Sequence, residues 1–114
     1  MPKLALRFFV EEPSDAAAEL VADRLRGILA SRLPAVAIKR VQQYWKIPEY
    51  REVSLESPLG DNATSILGEL ISMLGGGTAW TIHHKREAIW TAAPSISLIE
   101  RAVRWVHIEL FEVE

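Results

Sequence analysis

Hydrophobic and polar residues alternate at the start of the chain, in the segment KLALRFFV. One face of this segment carries four apolar side chains, Leu4, Leu6, Phe8 and Val10. The other face carries Lys3, Ala5, Arg7 and Phe9. Because successive side chains of a strand point to opposite faces, the pattern predicts a β-strand over residues 3–10.

A helical period follows the segment EEPSD at residues 11–15. Ser14 suits the N-cap position, and Asp15 suits the first turn, where a carboxylate faces the positive end of the helix dipole. The apolar residues that follow recur at helical spacing and predict one buried stripe, Ala17, Leu20, Val21, Leu25, Ile28 and Leu29. The pattern predicts a helix over about residues 14–31.

Two further strands are predicted on either side of a proline. The alternation in residues 35–45, AVAIKRVQQYW, slips between Ile38 and Val41, which predicts a bulge there. Because proline has no N–H to donate, Ile47-Pro48 must interrupt the pairing before the next strand, YREVSLE at 50–56. One face of that strand carries Arg51, Val53 and Leu55, and the other carries Glu52, Ser54 and Glu56.

A second amphipathic helix is predicted after the turn-rich segment SPLGDN, with Asp61 or Asn62 as its cap and Gly75 at its end. Its apolar stripe comprises Ala63, Ile66, Leu67, Leu70, Ile71 and Leu74. The glycines at 75–77 follow this helix, whereas a phosphate-binding loop precedes a helix and carries a Lys-Ser/Thr pair. We therefore interpret them as a helix stop that leads into a strand.

The last third of the chain returns to strand patterns. Three more strands are predicted, TAWTIHH at 78–84, EAIWTA at 87–92 and RWVHIELFEV at 104–113. The pattern of residues 94–102 leaves a helical turn and a loop both open.

The predicted order is strand–helix–strand–strand–helix–strand, with two more strands. Because each helix has one apolar stripe, both helices must cover the same face of a largely antiparallel sheet. A split βαβ, ferredoxin-like arrangement meets this requirement with right-handed crossovers. We predict an α+β fold, a ferredoxin-like two-layer sandwich with extra C-terminal strands, formed by residues 1–114 as a single domain.

Composition narrows the classes of function. The chain has 114 residues, 49% of them apolar and none of them cysteine, which suits a folded domain without disulfides or thiol chemistry. No signal-peptide pattern and no apolar run of about 20 residues is present, so we expect a cytoplasmic protein with no membrane contact. The net charge of −2 and the clustered acidic residues argue against nucleic acid and suit a basic partner.

Candidates for catalysis and metal binding are few. Neighbouring histidines on a strand point to opposite faces, so His83 and His84 do not converge, and His107 would have to join one of them across strands. The carboxylates of Glu52, Glu56 and Glu109 fit a solvated sheet face. Because no catalytic signature is present, we expect neither an enzyme nor a cofactor or metal site.

Aromatic residues give the stronger signal. If Leu4 and its row face the helices, Phe9, Trp105 and Phe111 point away from them, joined by Tyr44 or Trp45. RNA-recognition domains stack bases on such a face, but their glycine-aromatic signature is missing here. Trp and Tyr within a charged rim are typical of protein interfaces, a composition that extends to Trp80 and Trp90. The candidate protein-binding residues are Tyr44, Trp45, Lys46, Glu49, Tyr50 and Trp105.

Three segments resemble a known class of proteins: YWKIPEYREVSLE at 44–56, LGGGTAW at 74–80 and RWVHIELFE at 104–112. They are similar to small bacterial immunity proteins of contact-dependent growth inhibition and related polymorphic-toxin systems. The resemblance implies a non-catalytic protein that binds one cognate toxin domain and blocks its active site or its docking. It supplies no motif position that identifies the toxin-facing surface.

The alternative is a ferredoxin-like small-molecule-binding or enzymatic domain that uses the open aromatic sheet face. That function would need a cavity lined by Trp90, Trp105 and His107. An exposed strand edge or the aromatic face would also allow a homodimer.

Overall fold

The computed structural model describes residues 2–59, 63–77, 79–84, 86–93 and 96–112, which form an α+β fold. Its elements, in chain order, are β1 (Pro2–Glu11), α1 (Asp15–Leu29), β2 (Ala37–Gln43), β3 (Tyr50–Pro58), α2 (Ala63–Leu74), β4 (Trp80–His83), β5 (Glu87–Thr91) and β6 (Val103–Glu112). Over these described ranges the order of helices and strands is the predicted one. Neither of the two described helices is long and apolar enough to cross a membrane.

The strands form one antiparallel sheet with the order β2-β3-β1-β6-β5-β4. β1 pairs with β3 on one side and with β6 on the other. The final strand therefore lies inside the sheet, and the β4–β5 hairpin extends the sheet beyond it. This arrangement agrees with a two-layer sandwich.

The core lies between the helices and one face of the sheet. On β1 this face carries Leu4, Leu6, Phe8 and Val10, as predicted. Cross-strand register brings the core residues of the neighbouring strands beside them, Val53 and Leu55 of β3 and Val106, Ile108 and Leu110 of β6. Buried residues of α1 and α2 belong to the same cluster, so the two helices share one core.

The start of α1 is fixed by two side chains. The hydroxyl of Ser14 accepts a hydrogen bond from the Ala17 N–H at 3.1 Å, which confirms the predicted N-cap. The Asp15 carboxylate accepts a hydrogen bond from Arg51 Nε at 2.8 Å, and this contact ties the helix to β3. The prediction that Leu20 is buried is wrong, because the packed stripe runs through Ala18, Val21, Ala22, Leu25 and Leu29, one position away.

The β2–β3 hairpin follows the sequence pattern closely. The pairing register shifts between Ile38 and Arg40, which confirms the predicted bulge. The strands separate around Pro48, where the Tyr50 N–H donates to the Ile47 carbonyl at 2.9 Å. The turn at residues 44–49 therefore projects from one end of the sheet.

The glycine segment has a packing role as well as a terminating one. Gly75 follows the last residue of α2 with a φ of +82°, which confirms the predicted helix stop. Trp80 Nε1 donates to the Gly75 carbonyl at 2.6 Å, and Trp90 Nε1 donates to the Gly76 carbonyl at 3.0 Å. A Cβ on Gly76 would lie 2.5 Å from Trp90 Nε1 and 2.8 Å from Trp80 Nε1. Both indoles thus require glycine at this position.

The described part of the undecided segment, residues 96–102, forms a connection without a helix. Leu98 is buried and bridges to Gly75, and the Glu100 carboxylate accepts a hydrogen bond from Arg24 Nε at 2.6 Å. These contacts hold the segment against the side of α1 and the end of α2. The predicted cap of α2 at Asp61 or Asn62 lies outside the described residues.

We expect Gly76→Ala to lower the free energy of unfolding by about 2 kcal/mol or more, because the added methyl displaces two hydrogen-bonded indoles and the φ of +91° disfavours a side chain. Gly68→Ala is the matched control. Gly68 is an exposed position of α2, and a Cβ added there would meet nothing within 4 Å, so alanine should stabilise the helix by about 0.5–1 kcal/mol. Urea denaturation measures both, and equal stabilities would contradict the packing role.

Candidate functional site

The sheet face turned away from the helices combines aromatic, acidic and basic side chains. We call it the open face, and define it by Arg7 and Phe9 of β1, Tyr44, Glu52 of β3, Glu87 of β5, and Trp105, His107 and Glu109 of β6. The strand period places all of them except Tyr44 there, because they alternate with the core residues along the same strands. Tyr44 follows β2 directly and reaches this face through its contact with Phe9.

Three rings form a cluster on the open face. The Phe9 ring centroid lies 4.6 Å from that of Tyr44 and 4.5 Å from that of Trp105. Phe9 is only 1% exposed although it does not belong to the core between the layers. The sequence left open whether Tyr44 or Trp45 joins this face, and the structure selects Tyr44.

Trp45 remains outside this cluster and largely in solvent. It is 79% exposed, with its ring 6.4 Å from that of Tyr44 and the Lys46 ammonium 5.1 Å from its centroid. Lys46 and Glu49 are exposed in the same turn, and Tyr50 is half-buried at the start of β3. The predicted binding residues therefore occupy the 44–49 turn, its junction with β3 and the aromatic cluster beside it.

A partly buried ion pair lies next to the cluster. The Arg7 guanidinium is 5.2 Å from the Phe9 ring centroid, and its Nε lies 3.4 Å from a carboxylate oxygen of Glu52. The same oxygen accepts a hydrogen bond from the Ser54 hydroxyl at 3.1 Å. The expectation that Glu52 is solvated is wrong, because β3 lies beside the central strand and Arg7 compensates its charge there.

An acidic groove borders the 44–49 turn. Its volume is about 560 Å³, and its lining comprises Glu11, Glu12, Pro13, Gln43, Pro48, Glu49 and Arg51. Arg51 is engaged with Asp15 and with the carbonyls of Pro13 and Pro48. The three glutamates form no ion pair with any described residue, so their negative charge is available at the surface.

A histidine and two carboxylates converge at the other side of the open face. His107 Nε2 lies 2.7 Å from Glu87 Oε2, and the ligand-type atoms of Glu87, His107 and Glu109 all lie within 4.8 Å of one another. The hydrogen bond from His107 lowers the pKa of Glu87 below its usual value, assisted by the charges of His107 and His83. The group contains the donor types that divalent metal ions bind.

Sequence reasoning considered a different set of histidines. His84 lies beyond the end of β4 with a φ of +52°, and His83 lies two strands away from His107 in the sheet. The two glutamates that join His107 were missed as a pair. Aligning residues 87–92 with the final strand as an antiparallel pair could have found them, because Glu87 lies opposite Glu109 in that register.

The cavity required by the small-molecule alternative does not form among the described residues. Trp90 is fully buried in the core on the helix side, with its ring 6.3 Å from that of Trp80, whereas Trp105 belongs to the open face. Of the aromatic residues considered for an interface, Trp90 is therefore a core residue. Alternation along β5 decides this, since Trp90 shares the face of buried Ala88.

Comparison with known proteins identifies no relative. A scan against protein-family models, a search of curated proteins and a search of solved structures each returned no match for this chain. Any functional conclusion therefore depends on the geometry of the open face and on the resemblance of the three segments.

Phe9→Ala should lower the free energy of unfolding by about 3 kcal/mol, because it leaves a cavity beneath Tyr44 and Trp105. Trp45→Ala should change it by less than about 0.5 kcal/mol, because that ring is already in solvent. Denaturant unfolding of the two variants beside the wild type measures the contrast. A large loss on truncating Trp45 would mean that the turn is part of the folded core rather than a free surface.

Proposed function

We propose that this chain is an immunity protein that binds a cognate protein toxin domain and neutralises it without catalysis of its own. The observation that carries the proposal is the exposed indole of Trp45, at the tip of the β2–β3 turn beside the aromatic cluster. The same turn begins the segment on which the resemblance to immunity proteins rests.

The physical argument begins with the anchor. A tryptophan that leaves water for a pocket on a partner supplies a large apolar area at low cost in conformational entropy, which is why tryptophan is enriched among interface hot spots. Ile47, also exposed, lies two residues further along the same turn. Together they offer an apolar contact that the fold of the chain itself does not use.

Charge supplies the second argument. The groove that borders the turn carries Glu11, Glu12 and Glu49. An acidic surface accelerates the approach of a basic partner and suppresses binding of acidic ones. A toxin domain with a basic active-site cleft, such as a nuclease, would be complementary to this side of the molecule.

The proposal extends to the fold. The strand order β2-β3-β1-β6 is the one a ferredoxin-like arrangement requires if β6 takes the place of its fourth strand. The β4–β5 hairpin is then an insertion between α2 and that strand. We place the protein in the bacterial cytoplasm, where an immunity protein meets an incoming toxin.

Co-expression is the direct test. The toxin domain encoded next to this gene, produced in a susceptible bacterium, should arrest growth, and growth should recover when this chain is co-expressed. The two proteins should then elute together in size-exclusion chromatography as a defined complex. Absence of both rescue and complex would reject the proposal. In the negative control, the toxin domain is replaced by the product of an unrelated neighbouring gene, which should form no complex with this chain.

Trp45→Ala should weaken toxin binding by about thirtyfold, the loss expected when a hot spot worth about 2 kcal/mol is truncated. Leu20→Ala is the matched control, since Leu20 is a large apolar residue, 61% exposed, on helix α1 in the other layer. The affinity of the Leu20→Ala variant for the toxin should stay within about twofold of that of the wild type. Surface plasmon resonance on folded variants measures both, and equal affinities would assign the toxin to another surface.

A further inference from the structure

We propose that Glu87, His107 and Glu109 form a binding site for one divalent transition-metal ion on the open face. The site lies on β5 and β6, in the opposite half of the sheet from the β2–β3 turn. It does not depend on the proposed immunity function, because no residue of the turn contributes to it.

The sheet register brings the three side chains together. Glu87 and Glu109 are directly paired between β5 and β6, and His107 precedes Glu109 by one strand period on the same face. Metal–ligand bonds to imidazole nitrogen and carboxylate oxygen are about 2.0–2.2 Å long, which places neighbouring donors about 3 Å apart. Since the three donor atoms already lie within 4.8 Å of one another, small side-chain rotations are enough to close the site.

The charges of the group favour a cation. Like charges directly opposite each other on two strands destabilise a sheet, and Glu87 and Glu109 are such a pair. His107 hydrogen-bonds with Glu87 through the contact of 2.7 Å between Nε2 and Oε2. Glu109 forms no hydrogen bond or ion pair through its side chain with any residue of the described ranges. A divalent ion between the two carboxylates would compensate both charges at once.

The position of the histidine ring supports a prepared site. The ring of His107 stacks on that of Trp105, with an interplanar angle of 11° and centroids 6.3 Å apart. Trp105 is itself packed against Phe9. Nε2 of the stacked ring lies 2.7 Å from Glu87 Oε2. To coordinate the metal, Nε2 must be the unprotonated nitrogen of a neutral imidazole, with the ring proton on Nδ1.

The donor set selects the class of ion. One imidazole with two carboxylates suits zinc, iron, cobalt or manganese, whereas calcium and magnesium prefer oxygen ligands alone. Three protein ligands leave at least one coordination position for water or another ligand. A groove of about 440 Å³ opens beside the two carboxylates, with His83 and Arg86 also in its lining, and offers room for that ligand.

Zinc titration into purified metal-free protein tests the proposal. Isothermal titration calorimetry should show one Zn²⁺ per chain. Glu109→Gln should weaken the binding by at least about tenfold, because loss of even an outer-shell partner typically weakens metal sites about 10–100-fold. This variant keeps the His107–Glu87 pair and removes the like-charge contact, so it should fold at least as well as the wild type without metal. At the same zinc concentration, the melting temperature should rise less for Glu109→Gln than for the wild type.

His84→Ala is the control for adventitious binding by an exposed histidine, and it should bind zinc as the wild type does, because His84 lies beyond the end of β4. His107→Gln should lose the binding. The proposal is overturned if Glu109→Gln binds zinc with wild-type affinity, or if His84→Ala abolishes binding. Displacement of zinc by equimolar magnesium or calcium would overturn the assignment to a transition metal.

Discussion

The double pairing of β1 is the constraint on which the rest of the structure depends. Because β3 and β6 flank this strand along nearly its whole length, each of its side chains has neighbours on both sides within the sheet. Leu4, Leu6 and Phe8 are covered by the helices, while Phe9 is covered by Tyr44 and Trp105. The open face therefore has a packed cluster of its own around Phe9.

Local pattern was sufficient to predict the elements. Strict alternation predicted β1, and a capping serine with helical spacing predicted α1. The bulge in β2 was visible as a slip of period. The local pattern fails at Leu20, where a shift of one position along the helix separates a buried side chain from an exposed one. Contacts that depend on other parts of the chain were not predictable, among them the approach of Trp90 to Gly76.

The residues of the candidate site likewise divide into those that the sequence could predict and those that it could not. The exposure of Trp45, Lys46 and Glu49 could be predicted, because Pro48 among them prevents a continuous strand. The burial of Glu52 could not, since it depends on Arg7 lying across the β1–β3 pair. The Glu87–Glu109 pair likewise exists only through the register of β5 with β6. Local sequence thus predicts which residues are accessible, and sheet register decides which of them meet.

Trp105 connects the two halves of the open face. Its ring contacts Phe9 at 4.5 Å on the side of the aromatic cluster and stacks on His107 at 6.3 Å on the side of the carboxylates. A substitution of Trp105 would disturb both the cluster and the orientation of the imidazole, so its effects would not separate the two proposals. Trp45 and Glu109 do separate them, because each lies on the far side of one half and shares no ring contact with Trp105. The two proposed sites therefore lie toward opposite ends of the sheet, with the rings of Phe9, Trp105 and His107 between them.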